Sequence, residues 1–117
     1  MVVLLADDDR AVRDALKFAL ELDDFRVYAC GDGEELLTHP VLEQCDCIVL
    51  DYKMPGMSGL DVLTKLAGRA VTAPVIFISG PVSEALRQRA LNAGARLVLE
   101  KPLLDGILTE RIRELTN

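Results

Sequence analysis

At 117 residues, half of them hydrophobic and none of them tryptophan, the chain has the size of one domain with a real core, expected to fill residues 1–117. A formal net charge of −6 argues against an autonomous nucleic-acid-binding surface, and no apolar run approaches the roughly 20 residues of a membrane span. The three cysteines, Cys30, Cys45 and Cys47, lack the spacing and second pair of a zinc site and read as free thiols in a reducing compartment.

Val2 to Ala6 is a short apolar, β-branched run and reads as the first strand. A strand starting so early leaves no room for a signal peptide, so the expected location is cytoplasmic. Asp7-Asp8-Asp9 ends the strand. Val12, Ala15, Leu16, Ala19 and Leu20 then recur at helical spacing, which predicts helix one from about Arg10 to Leu22, capped by Asp8 or Asp9. Asp23-Asp24 breaks it, and Phe25 to Cys30 is strand two. Asp32-Gly33-Glu34-Glu35 reads as a capping box, with Asp32 as cap and Glu35 reaching back. It opens a short helix two that ends by Pro40, near His39, and a second brief helical stretch follows.

Cys47 to Leu50 is strand three, an apolar run of the kind buried on both faces of a parallel sheet. It ends on Asp51 and a turn rich in Pro and Gly. Gly59 to Ala67 carries Leu60, Leu63 and Leu66 on one side and stops at Gly68, which gives helix three. Pro74 precedes strand four, Val75 to Ile78, which ends in Ser79-Gly80. Helix four starts at Pro81 or Ser83 and runs to Ala93, with Gly94 as its C-cap. Arg96 to Leu99 is strand five, ending at Glu100-Lys101-Pro102. Leu104, Leu108, Ile112 and Leu115 predict helix five.

Five strands alternating with five helices predict an α/β doubly wound parallel sheet. Right-handed crossovers then bring every strand's carboxyl end to one rim, where open α/β sheets place their ligands. Strand one delivers Asp7 and Asp8 to that rim, strand three Asp51, strand four Ser79 and strand five Lys101. Taken alone, Asp51 is a nucleophile, a metal ligand or a turn residue; Ser79 is a ligand or a helix cap; the aspartates after strand one are ligands or partners of the helix dipole. Together they are three carboxylates that repel one another and need cations. Lys101 is one, and a hard divalent ion with oxygen ligands, Mg²⁺, suits the rest. A metal and an ammonium flanking a carboxylate fit phosphoryl transfer to that carboxylate, a reaction governed by positioning and charge neutralisation.

The chain resembles the receiver domain of two-component response regulators along essentially its whole length. The marks are Asp7-Asp8, Asp51 followed by Met54-Pro55-Gly56-Met57-Ser58-Gly59, then Ser79-Gly80, then Ala93-Gly94-Ala95 leading to Lys101-Pro102. The resemblance implies the fold of the chemotaxis response regulator, a flavodoxin-like sheet of order 2-1-3-4-5. It implies that Asp51 accepts phosphate from a sensor histidine kinase or histidine phosphotransfer protein. Asp8 and Asp51 would bind Mg²⁺ with the main-chain carbonyl of Lys53, Asp7 acting through water, while Ser79 and Lys101 bind the phosphoryl oxygens. The bond before Pro102 would be cis. Such a domain is a switch rather than an enzyme, with neither nucleic acid nor membrane as its direct partner. Its output leaves through the face of helix four, strand five and helix five, where Arg87, Arg96 and Arg111 are expected, including through a homodimer.

The sequence departs from the family's pattern at three places. Val98 stands where receivers carry an aromatic ring midway along strand five, so helix four and its preceding loop are expected to carry the switch. Leu103 stands where Phe often follows Lys-Pro, and Arg96-Leu97 where one large subfamily has an acidic pair used in dimerisation; the chain is closer to the FixJ/NarL type. Lys53 and Pro81 each lie two residues past a rim residue, at positions that tune phosphoryl lifetime in receivers, and predict slow autodephosphorylation. Two rival functions compete: a degenerate receiver acting as a phosphate-independent binding module, and a small Mg²⁺-dependent phosphohydrolase of the haloacid dehalogenase type with Asp7 as nucleophile.

Overall fold

The computed structural model describes residues 1–104 and 106–117. The elements run β1 (Val2–Ala6), α1 (Arg10–Leu22), β2 (Arg26–Cys30), α2 (Gly33–Leu37), β3 (Cys47–Asp51), α3 (Gly59–Ala67), β4 (Val75–Ser79), α4 (Glu84–Asn92), β5 (Leu97–Glu100) and α5 (Ile107–Thr116). The strands form one sheet of order β2-β1-β3-β4-β5, and each neighbouring pair is parallel. β3 and β4 are buried at every residue, which is why they read as unbroken apolar runs rather than as alternating ones.

Strand alternation divides the core into two layers. Leu4, Ile48, Leu50 and Phe77 pack with Leu36, Leu63, Leu86 and Ala90, so α2, α3 and α4 cover one face. Val3, Leu5, Val49, Ile76 and Ile78 pack with Leu20, Leu108 and Ile112, so α1 and α5 cover the other. Among the described residues, no helix is long and apolar enough to cross a membrane. Cys30, Cys45 and Cys47 are free and buried, and burial pushes their thiols up to about 12, 11 and 12 respectively.

Several local expectations change. Helix five begins at Ile107, not near Leu104, because Gly106 before it has φ 78°, outside right-handed helical geometry; Leu104 is 79% exposed instead of joining the apolar stripe. The second helical stretch after helix two is a run of turns, with Leu42 N donating to His39 O and Cys45 N to Val41 O. Asp32 caps α2 by accepting from Glu35 N, but the Glu35 side chain accepts from Gly31 N rather than from the cap residue. The reciprocal capping box lies elsewhere, at Ser58 and Asp61. Of the two aspartates offered as the cap of α1, Asp9 takes that place. Ser83, not Ser79, caps α4, which leaves the Ser79 hydroxyl free of that role. Gly94, at φ 116°, follows the C-terminal cap Ala93 rather than being that cap.

Candidate functional site

The register carries the rim residues into alignment. Ala6 pairs with Leu50, Asp51 with Ile78 and Ser79 with Glu100. Asp7, Asp51, Ser79 and Lys101 therefore all leave the sheet at its carboxyl edge. β3 reaches one residue further than expected and includes Asp51; β4 likewise includes Ser79.

Asp7, Asp8 and Asp51 each bring a carboxylate oxygen within 4.8 Å of the others. Asp7 is fully buried, Asp51 is 4% exposed and Ser79 3% exposed, while Asp8 faces solvent. At such a separation each pair of charges repels by about 3 kcal/mol at an effective dielectric near 20. Lys101 answers two of the three. Its Nζ lies 3.1 Å from Asp7 Oδ2 and 3.2 Å from Asp51 Oδ1. Burial pulls the Lys101 ammonium down, but its hydrogen bond to Asp7 and the charges of Asp51 and Asp7 outweigh burial and hold its pKa above the ordinary value. For Asp51 the balance goes the other way. Burial, then the neighbouring Asp7 charge, raise it from 3.8 to about 6, although Lys101 pulls it down. A carboxylate so placed is ionised at neutral pH yet poorly solvated, and it lacks a full complement of positive charge.

The frame that holds these groups is mostly main chain. Asp7 N donates to Cys30 O at 3.1 Å, Arg13 Nη1 donates to Asp7 O at 3.0 Å, and Asp9 N donates to Asp7 Oδ1 at 2.9 Å. Lys101 N donates to Ser79 O at 2.6 Å, so one residue fixes the end of β4 through its amide and reaches the carboxylates through its side chain. The Lys101–Pro102 bond is cis. Gly59 N donates to Tyr52 O at 2.7 Å. A Cβ on Gly59 would stand 2.5 Å from Asp51 O and 2.9 Å from Phe77 Cε2. Glycine there lets α3 start directly against the backbone that presents Asp51.

Lys53 is exposed in the turn leaving β3. Val98 is buried and its carbonyl accepts from Arg87 Nη1 at 3.2 Å. Of the three arginines expected on the α4–β5–α5 face, Arg96 is exposed, Arg87 turns onto Val98, and Arg111 pairs with Glu110 and Glu114 of its own helix. Sequence reasoning missed Arg13, Ser58, Asp61 and Glu100. The Ser58-x-x-Asp61 spacing was a local signal for the second capping box; the contacts of Arg13 and Glu100 depend on tertiary placement and had none.

A family model described as the response regulator receiver domain matches residues 3–113. The chain is 35% identical to nodulation protein W of Bradyrhizobium diazoefficiens over 97% of its own length and 53% of that protein. It is 36% identical to the response regulator MprA of Mycobacterium leprae over 98% of its length and 50% of that protein. The chain thus spans about half the length of these curated relatives. Among solved structures, the receiver domain of the Francisella response regulator 1452 superposes with a TM-score of 0.91 at 30% identity, covering 98% of this chain and 95% of that one. With the carboxylates and lysine assembled at the carboxyl edge of a 2-1-3-4-5 sheet, this chain belongs to the receiver-domain family of two-component response regulators.

Proposed function

We propose that residues 1–117 act as a single receiver unit in the cytoplasm, taking a phosphoryl group onto Asp51 from a sensor histidine kinase or histidine phosphotransfer protein. The observation that carries this reading is three carboxylates with oxygens within 4.8 Å of one another, two of them bridged by the Lys101 ammonium. Receivers of this family typically bind Mg²⁺ at an acidic pocket, and the donor set here fits it: oxygen ligands only, with Asp8 exposed and unpaired by Lys101. Asp7, Asp8, Asp51 and the Lys53 main-chain carbonyl would hold the ion, whose contribution when bound is to neutralise charge on the phosphoryl oxygens.

The chain's own residues do the rest. An Asp51 carboxylate oxygen forms the new bond to phosphorus as the phosphorus–nitrogen bond to the donor histidine breaks, and the nitrogen keeps the electron pair. With a pKa of about 6, Asp51 is mostly ionised at pH 7 and ready to attack. The Lys101 ammonium and the Ser79 hydroxyl donate to the phosphoryl oxygens and neutralise the charge they bring. A Cβ on Gly80 would meet nothing within 4 Å, so nothing inside the fold requires glycine there; its smallness serves an incoming histidine. Receivers are generally not catalytic enzymes, and this one acts as a switch, because the phosphoryl group favours one of two conformers. Output leaves through the α4–β5–α5 face, including by pairing with a second copy, with no nucleic acid or membrane bound directly.

Treatment with acetyl phosphate and Mg²⁺, followed by peptide mass analysis, tests the reading. A stable phosphoryl adduct on Asp51 supports it. An adduct on Asp7 points to the phosphohydrolase instead, and no adduct, together with Mg²⁺ affinity unchanged in Asp51→Asn and Asp8→Ala, points to a degenerate binding module.

A further inference from the structure

We propose that Glu100 is a positioning residue for Ser79: its carboxylate fastens the loop between β4 and α4 to the end of β5 and holds that loop in its unphosphorylated place. The inference rests on the reading of Ser79 as the hydroxyl that meets the phosphoryl group.

Ser79 and Glu100 are partners in the β4–β5 ladder. Two ties follow, one to the end of β4 and one to the loop beyond it. Lys101 N donates to Ser79 O at 2.6 Å, and three residues past Ser79 the amide of Val82 donates to Glu100 Oε1 at 2.8 Å. The residues between offer little to hold the loop. A Cβ on Gly80 would meet nothing within 4 Å, and Pro81 is exposed and has no N–H. Ser83 caps α4 by accepting from Leu86 N at 3.0 Å, which joins the end of the loop to the first turn of α4. Arg87, in that first stretch of helix, is tied in turn to Val98 O.

The consequence concerns the switch. Val98 is short and stiff at χ1, so no ring in β5 can report the movement of Ser79. Motion of the hydroxyl toward a phosphoryl group on Asp51 passes instead into the loop. The loop cannot shift against β5 without releasing the Val82–Glu100 hydrogen bond. Glu100 therefore weights the equilibrium toward the unphosphorylated conformer by the worth of that one bond.

The test compares wild type, Glu100→Ala and Glu100→Gln by amide exchange and by affinity for beryllofluoride in the presence of Mg²⁺. Glutamine keeps the acceptor oxygen and removes the charge; alanine removes both. Expected for alanine are faster exchange at Val82 and beryllofluoride affinity tighter on the order of 3- to 10-fold, the range one net hydrogen bond commands. Glutamine is expected within about 2-fold of wild type. Affinity unchanged or weaker in alanine overturns the proposal even if exchange rises, since Glu100 is then a structural contact only. A glutamine variant that behaves like alanine overturns it as well, because charge rather than the tie is then responsible. If wild type itself binds no beryllofluoride, the phospho-acceptor reading fails, and slow exchange at Val82 that alanine does not alter separately sinks the tie.

Discussion

Asp51→Asn is expected to make the metal-free protein more stable. The wild-type carboxyl is raised from 3.8 to about 6 by burial and by Asp7, with Lys101 only partly offsetting both. A rise of that size means the ionised form is disfavoured in the fold by roughly 3 kcal/mol. Asparagine has nearly the same shape, accepts from Lys101 through its oxygen and carries no charge, but its amide group adds donors beside an ammonium. The expected net gain is therefore about 2 kcal/mol at pH 7, or a melting temperature higher by on the order of 5–10 °C for a chain of this size. The pH dependence supplies the sign. Because the folded pKa lies above the unfolded one, the native state binds more protons between 3.8 and about 6, and the metal-free wild type loses stability as pH rises through that window. The variant lacks this slope. Thermal melts in EDTA from pH 4 to pH 8 measure both effects. If Asp51→Asn melts at or below the wild type at pH 7, or keeps the wild-type slope, burial and Asp7 do not dominate the site's electrostatics and the reasoning fails.

Lys101→Ala removes the ammonium that bridges Asp7 and Asp51; the metal-free protein should lose about 2–4 kcal/mol, and saturating Mg²⁺ should recover much of it, as read from denaturant midpoints with and without the ion. Gly59→Ala drives a Cβ to 2.5 Å from Asp51 O, so a loss of about 2–3 kcal/mol is expected together with weaker Mg²⁺ binding; a variant that keeps full stability would show that the approach of α3 to β3 is not tight. Lys53→Asn should shorten the lifetime of the phosphorylated protein, measured as the decay of radiolabel after donor removal, because the exposed Lys53 ammonium no longer shields the phosphoryl group; an unchanged decay rate removes Lys53 from that role.

The fold was legible because its signals are local and repeat. Val2–Ala6, Cys47–Leu50 and Val75–Ile78 are apolar runs too short for helices, and each is followed by turn residues and a helical period. Such alternation admits few topologies once crossovers are right-handed. The candidate site was legible for the same reason: parallel strands share one carboxyl edge, so residues that end strands meet there. What was not legible was set by long-range packing. Glu35 looks like half of a capping box, but its carboxylate reaches Gly31 N, a choice made by the path of the chain out of β2. Leu104 fits a helical stripe by spacing, yet Gly106 at φ 78° places the helix start beyond it. Arg13 and Glu100 have no motif, and each acts on a main-chain group whose position only the assembled sheet defines.

These two kinds of residue divide the work at the rim. Asp7, Asp8, Asp51 and Lys101 carry charge, and the fold gathers it at one rim with Asp7 and Asp51 buried and Asp8 facing solvent. Arg13, Gly59 and Glu100 act on main chain: Arg13 and Gly59 at the backbones that present Asp7 and Asp51, Glu100 at the Val82 amide in the loop after Ser79. The separation matters for a switch. A site stable without ligand would gain little from a cation or a phosphoryl group, whereas one left short of positive charge binds a cation strongly and responds when its charge changes. The rigid frame keeps that imbalance from relaxing by moving the carboxylates apart. Past Ser79 the chain enters a loop where a Cβ on Gly80 would meet nothing within 4 Å and where Glu100 ties Val82, and relaxation is free to go there.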